Sequence, residues 1–154
     1  IRLTGQGEAG VRGAPFGDLY LFVRVEDHDL FERDGSDLYC DVHVPMATAA
    51  LGGEIEAPTI DGGRVKIKIP EGAQTGRKFR LRNMGMSQLR RKNRGDMYVE
   101  LKVETPTNLT PRQRDLLKEF CAEGDGNDCP QSNSFFERAK GFWDSIRDAG
   151  TGTG

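Results

Sequence analysis

Two stretches of this chain repeat one pattern without a gap. Ile1-Arg2-Leu3 through Gly7 returns as Phe79-Arg80-Leu81 through Gly85, and Gly17-Asp18-Leu19-Tyr20-Leu21 returns as Gly95-Asp96-Met97-Tyr98-Val99. Both matches share one offset, since 79 minus 1 and 95 minus 17 alike give 78. An ungapped repeat means one supersecondary unit used twice. Here the unit reads as strand, long glycine-punctuated loop, Gly-Asp turn, strand. The second copy ends a domain whose start is visible near Leu38. The start of the domain that the first copy ends is not visible, so the chain is expected to be a fragment. Its residues 1–27 would be the closing part of a preceding β-domain.

The intact domain, residues 28–106, opens with a polar, turn-rich connector from His28 to Asp37, in which Phe31 is the expected anchor. Leu38, Cys40, Val42 and Val44 then alternate with Tyr39, Asp41 and His43, the period of a half-buried strand. Pro45 opens a small-residue run that Gly52-Gly53 closes, which predicts one or two helical turns. Glu54 to Ile60 resumes the alternation, and Asp61-Gly62-Gly63 turns the chain into Arg64 to Ile69. A two-residue turn would set Ala57 against Lys66, on opposite faces. A three-residue loop pairs Thr59 with Val65 and Ala57 with Ile67, leaving Glu56 opposite Lys68 outside. Arg77 to Arg82 is a further alternating strand.

Thr105-Pro106 ends the sheet, and Thr110-Pro111-Arg112-Gln113 is a capping box for a helix running to about Ala122. Residues 123–133 read as a flexible linker by composition. Ser134 and Glu137 suggest a second capping box, followed by Phe135, Phe136, Ala139, Phe142, Trp143 and Ile146 at helical spacing over 134–149. Residues 150–154 are expected to be disordered. The expected fold class is therefore all-β: a two-sheet, sandwich-like domain with one short internal helix. A partial copy of it precedes and helices follow.

The segment from Val44 to Glu56 with Pro58-Thr59-Ile60-Asp61-Gly62, the stretch Gly5-Gln6-Gly7-Glu8-Ala9-Gly10 and the tail Ser134-Phe135-Phe136 closely resemble the C-terminal region of the bacterial DnaJ family. These are J-domain co-chaperones of DnaK. The resemblance covers nearly all of the chain. It implies a chaperone module, not an enzyme, that holds unfolded polypeptides and delivers them to DnaK through the full-length protein. It also implies a cytoplasmic location and a homodimer made by the helix at residues 107–122, with Leu116, Leu117 and Phe120 as its contacts. In the family the first β-domain has an apolar client groove built partly from its last strands, which carries over to Leu3 and Leu21. Moving by 78 residues puts Leu81 and Val99, beside Phe79 and Met84, at the matching points of the second domain, where the competing reading is core packing.

Composition agrees without deciding. Lys and Arg total 22 against 24 Asp and Glu, so bulk charge points to neither nucleic acid nor membrane. No apolar run approaches the roughly 20 residues of a membrane span, and no signal-peptide pattern is present. The 3 cysteines, Cys40, Cys121 and Cys129, lack paired-ligand spacing, which fits a reducing compartment. No metal site or cofactor is expected, because the zinc module of the family lies upstream of the matching region. Asp41 beside His43 has no nucleophile near it in sequence, and His28 is followed by Asp29-Leu30 where the family's J-domain motif has Pro-Asp. The chief competitor to the chaperone reading is a basic surface that would bind an acidic peptide tail or nucleic acid. It comprises Arg64, Lys66 and Lys68 on one strand, Lys78, Arg80 and Arg82 on the next, and Arg90-Arg91-Lys92-Asn93-Arg94 at a loop tip. Nucleic acid is the poorer partner, since no outward aromatics interleave with these cations to stack bases.

Overall fold

A computed structural model describes residues 1–150 of the chain, so the expectation for residues 151–154 lies outside the described residues. The chain divides into two compact units, Ile1–Thr105 and the residues from Pro106 onward. Strands occupy the first unit and two long helices the second, so the chain is mixed rather than all-β.

The first unit opens with a two-stranded antiparallel pair, β1 (Arg2–Leu3) and β2 (Leu19–Tyr20). A four-stranded sheet follows in the order β3 (Glu32–Asp34), β4 (Asp37–Pro45), β8 (Met97–Glu104), β7 (Lys78–Leu81). Between β4 and β7 the chain forms the helix α1 (Met46–Leu51) and a separate hairpin, β5 (Gly53–Pro58) with β6 (Arg64–Ile69). The alternation of β4 appears as foreseen: Leu38, Cys40 and Val44 are buried and Val42 half-buried, while Tyr39, Asp41 and His43 are exposed. Its partner is β8, parallel and in register from Leu38 opposite Met97 to Pro45 opposite Glu104. Everything between these strands is one crossover, as a parallel pair demands.

Three local readings need correction. The connector is half strand, because Gly35, at φ +62°, lets Asp34 pair with Asp37 and folds Glu32 back opposite Tyr39. The β5–β6 hairpin has a three-residue loop, but Thr59 closes it against Gly63, so Ala57 faces Val65 and Glu56 faces Lys66. Gly62, not Gly63, takes the left-handed conformation at φ +85°. Its amide bonds to the Thr59 carbonyl at 3.0 Å, completing a turn of the bulged type. Shifting by two residues preserves which face is inside, so the apolar pattern alone could not detect it. The third correction is to the last helix, which starts at Pro130 rather than Ser134.

One cluster of buried side chains joins the four-stranded sheet to the hairpin. Leu38, Val44, Met97, Val99 and Leu101 come from β4 and β8; Ala57, Ile67 and Ile69 come from β5 and β6. Cys40 of β4, Ala49 of α1, Ala73 and Phe31 of the connector complete it, so Phe31 does anchor in a core. The second unit holds α2 (Pro111–Glu123) and α3 (Pro130–Gly150). Both capping-box bonds of α2 are made: the Gln113 amide donates to Thr110 Oγ1 at 3.1 Å and the Thr110 amide to Gln113 Oε1 at 3.0 Å. Proline is preset for the first helical turn, which is why α3 begins at Pro130 and Ser134 lies inside it.

Candidate functional site

The repeat extends to strand register and side-chain contacts. Arg2 faces Tyr20 and Leu3 faces Leu19; 78 residues on, Arg80 faces Tyr98 and Leu81 faces Met97. In each copy an aspartate clasps the far side of the loop. Asp18 takes Arg2 Nε on one oxygen at 2.7 Å and the Gly5 amide on the other at 3.1 Å. Asp96 takes Arg80 Nε at 2.8 Å and the Asn83 amide at 3.1 Å. The Asn83 amide, then the Arg80 side chain, hold the Asp96 carboxyl below the usual aspartate range. Behind the clasp the Gly85 amide bonds to the Gly95 carbonyl at 2.8 Å, as Gly7 does to Gly17.

Strand β7 is the edge of the four-stranded sheet, and its side chains divide by parity. Lys78 and Arg80 point outward, while Phe79 and Leu81 are half-buried and pack on the core with Met84. The Arg77 guanidinium sits 5.5 Å from the Phe79 ring centre. The edge thus joins unpaired backbone to a half-open apolar strip of Phe79, Leu81 and Met84. Val99, opposite Phe79, is fully buried and offers no side-chain surface. Its repeat mate Leu21 is 42% exposed and Leu3 36% exposed. In the second copy β4, on the far side of β8, covers this position, whereas β2 has only β1 as a partner within this chain.

On α2, Leu116 and Phe120 are exposed and Leu117 is half-buried. On α3, Phe135, Phe136, Phe142, Trp143 and Ile146 are all exposed. The basic stripes are matched from across the strands: Lys66 and Lys68 face Glu56 and Glu54, Arg64 pairs with Glu56 at 3.2 Å, and Lys78 faces Glu100. A feature that sequence reasoning missed is the outer-face stack of Tyr39 on Tyr98, with ring centres 5.2 Å apart. It depends on the β4–β8 pairing, which no local pattern announces. Cys40 is buried, and that burial, helped by Asp41, pushes its thiol pKa up. Among the described residues no group of three or more His, Cys, Asp or Glu side chains is placed to hold a metal ion.

The chain thus combines a twice-used β-unit, closed each time by an aspartate clasp, with an apolar strip along a sheet edge. Residues 1–106 match the family described as DnaJ C terminal domain, and residues 112–145 match the Chaperone protein DnaJ C-terminal region. The chain belongs to the DnaJ C-terminal domain family, a chaperone family and not an enzyme family. Among its relatives, Chaperone protein DnaJ of Dinoroseobacter shibae is 57% identical over 147 residues, covering 96% of this chain and 38% of the relative. The protein of the same name from Hyphomonas neptunium is 61% identical over 145 residues, 93% of this chain and 37% of the relative. That of Paramagnetospirillum magneticum is 54% identical over 151 residues, 96% and 39%. The chain thus spans less than two fifths of the relatives' length. No helix among the described residues is long and apolar enough to cross a membrane.

Proposed function

We propose that this chain is the client-binding and dimerising part of a cytoplasmic DnaJ co-chaperone, whose full-length form hands unfolded polypeptides to a DnaK-type chaperone. The observation that carries the reading is the half-open strip of Phe79, Leu81 and Met84 along the edge strand β7. An unfolded segment offers backbone hydrogen bonds and apolar side chains, and an edge strand beside an apolar strip answers both. Leu3 and Leu21 supply the corresponding contacts in the first copy, and Val99 is the buried floor under the strip rather than a contact. Leu116, Leu117 and Phe120 form the face through which α2 dimerises, and two modest sites on one dimer gain avidity for a long client. The sandwich-like reading of residues 28–106 rests on the core cluster shared by the four-stranded sheet and the β5–β6 hairpin.

The alternative, a basic module for an acidic peptide tail or nucleic acid, loses support on β6 and β7, where Lys66, Lys68 and Lys78 face glutamates and Arg64 and Arg80 are held by Glu56 and Asp96. The test is suppression of aggregation of a chemically denatured model protein by the chain, beside DNA binding at two salt concentrations. Suppression that persists at the higher salt, with weak DNA binding, is the expected result. DNA binding with no effect on aggregation would reverse the reading.

A further inference from the structure

The loop between β7 and β8 carries a feature that client binding does not use. Its tip places Leu89, 89% exposed, directly before Arg90, whose backbone is left-handed at φ +60°. The first copy repeats this 78 residues earlier with Val11, 82% exposed, before Arg12 at φ +57°. A non-glycine residue at positive φ is uncommon and disfavoured, and finding it twice at one repeat position makes it a property of the unit. The left-handed residue turns the chain sharply, and the aliphatic side chain before it stands off the surface.

The two copies differ in charge. Val11-Arg12 is followed by Gly13-Ala14, whereas Leu89-Arg90 is followed by Arg91-Lys92. Among the described residues no carboxylate lies in ion-pair reach of Arg90, Arg91 or Lys92, while the neighbouring Arg94 is held by Asp61 at 2.7 Å. In a chain of net charge -2 this is a local excess of cations around an exposed leucine. We infer that the Leu89–Lys92 loop is a docking knob for an acidic polypeptide segment that carries aliphatic residues among its carboxylates. Charge complementarity selects the acidic partner. Leu89 selects a peptide over a nucleic acid, because an aliphatic side chain gives bases nothing to stack on and the loop holds no aromatic residue. The inference stands apart from the client strip, since neither uses the other's residues.

The test is fluorescence anisotropy of the whole chain with three labelled probes: a peptide with two leucines in a run of glutamates, its glutamine counterpart, and a single-stranded oligonucleotide. The glutamate peptide should bind best and weaken with salt. Arg90→Gln with Arg91→Gln and Lys92→Gln should lower its affinity by roughly tenfold, and Leu89→Ser by a few fold. Arg90→Gly, which suits the backbone, should lose affinity without losing thermal stability. Lys66→Gln with Lys68→Gln should bind as the parent does. Equal binding of the glutamate and glutamine peptides, unchanged binding by the triple variant, or preferential capture of the oligonucleotide would each overturn the inference.

Discussion

Asp96 repeats Asp18 atom for atom. Each carboxylate takes an arginine Nε on Oδ2, at 2.8 and 2.7 Å, and a backbone amide on Oδ1, at 3.1 Å in both copies. The aspartate therefore fixes both the strand before the loop and the loop's first turn. Asp96 does more than its mate, because its own amide donates to Asp37 Oδ1 at 2.8 Å and ties the clasp to the start of β4.

The clasp predicts a pH dependence. The folded-state pKa of Asp96 is lowered, first by the Asn83 amide and then by Arg80. A depressed carboxyl stabilises the fold above its unfolded pKa of about 3.9, and the gain is lost as pH falls through the folded value. Thermal melts should therefore drop on acidification below roughly pH 4. Asp96→Asn should melt lower than the parent at pH 7 and flatten the acid limb. An acid limb as steep in the variant as in the parent would assign the effect to other carboxyls.

Glycine at the Gly-Asp turn should matter in one copy only. A Cβ on Gly95 would overlap the Ser36 carbonyl, whereas one on Gly17 would find only the Glu8 oxygen at 3.9 Å. Gly95→Ala should cost about 1–3 kcal/mol, as overpacking does, and Gly17→Ala should stay within about 0.5 kcal/mol. Denaturant titrations followed by circular dichroism check both.

Leu81 and Val99 separate binding from packing. Val99→Ala should destabilise by about 1–3 kcal/mol, as loss of a fully buried aliphatic group does. Leu81→Ala, at a half-open position, should weaken binding of a denatured client with a smaller fall in melting temperature. If Leu81→Ala only melts earlier and binds normally, the strip is packing and the client docks elsewhere.

Leu117→Asp combined with Phe120→Asp should give a folded monomer in sedimentation, since charges would replace the centre of the α2 face. A dimer that survives both changes would move the interface off this helix.

How much of this the sequence disclosed depended on range. The inside and outside of β4, both ends of α1 to within a residue, and the α2 capping box followed from neighbours a few residues apart. The repeat was legible because its offset is constant, and the matching Asp18 and Asp96 clasps follow from it. The hairpin register slipped by two because a loop of residues 60–62 and one of residues 61–63 leave the same apolar faces inside. Glu32–Asp34 read as connector because a polar Glu-Arg-Asp run has no strand pattern of its own. Its pairing comes from the Gly35 turn and the long β4 beside it. At Val99 repeat logic and core packing were the two competing readings, and local pattern could not choose between them, because its burial depends on β4, whose pairing with β8 is wholly non-local.

That pairing governs how the domain comes into being. Leu38 cannot meet Met97 until every intervening residue has been made, and β7 can join the sheet only through β8. During synthesis, α1 and the β5–β6 hairpin can form as local structures, but the four-stranded sheet has no centre until the last strand arrives. Folding should therefore be slow for the domain's size and close to all-or-none, as expected when distant contacts must close first. Until Glu104 is clear of the ribosome, the apolar side of β4 remains exposed as nascent chain.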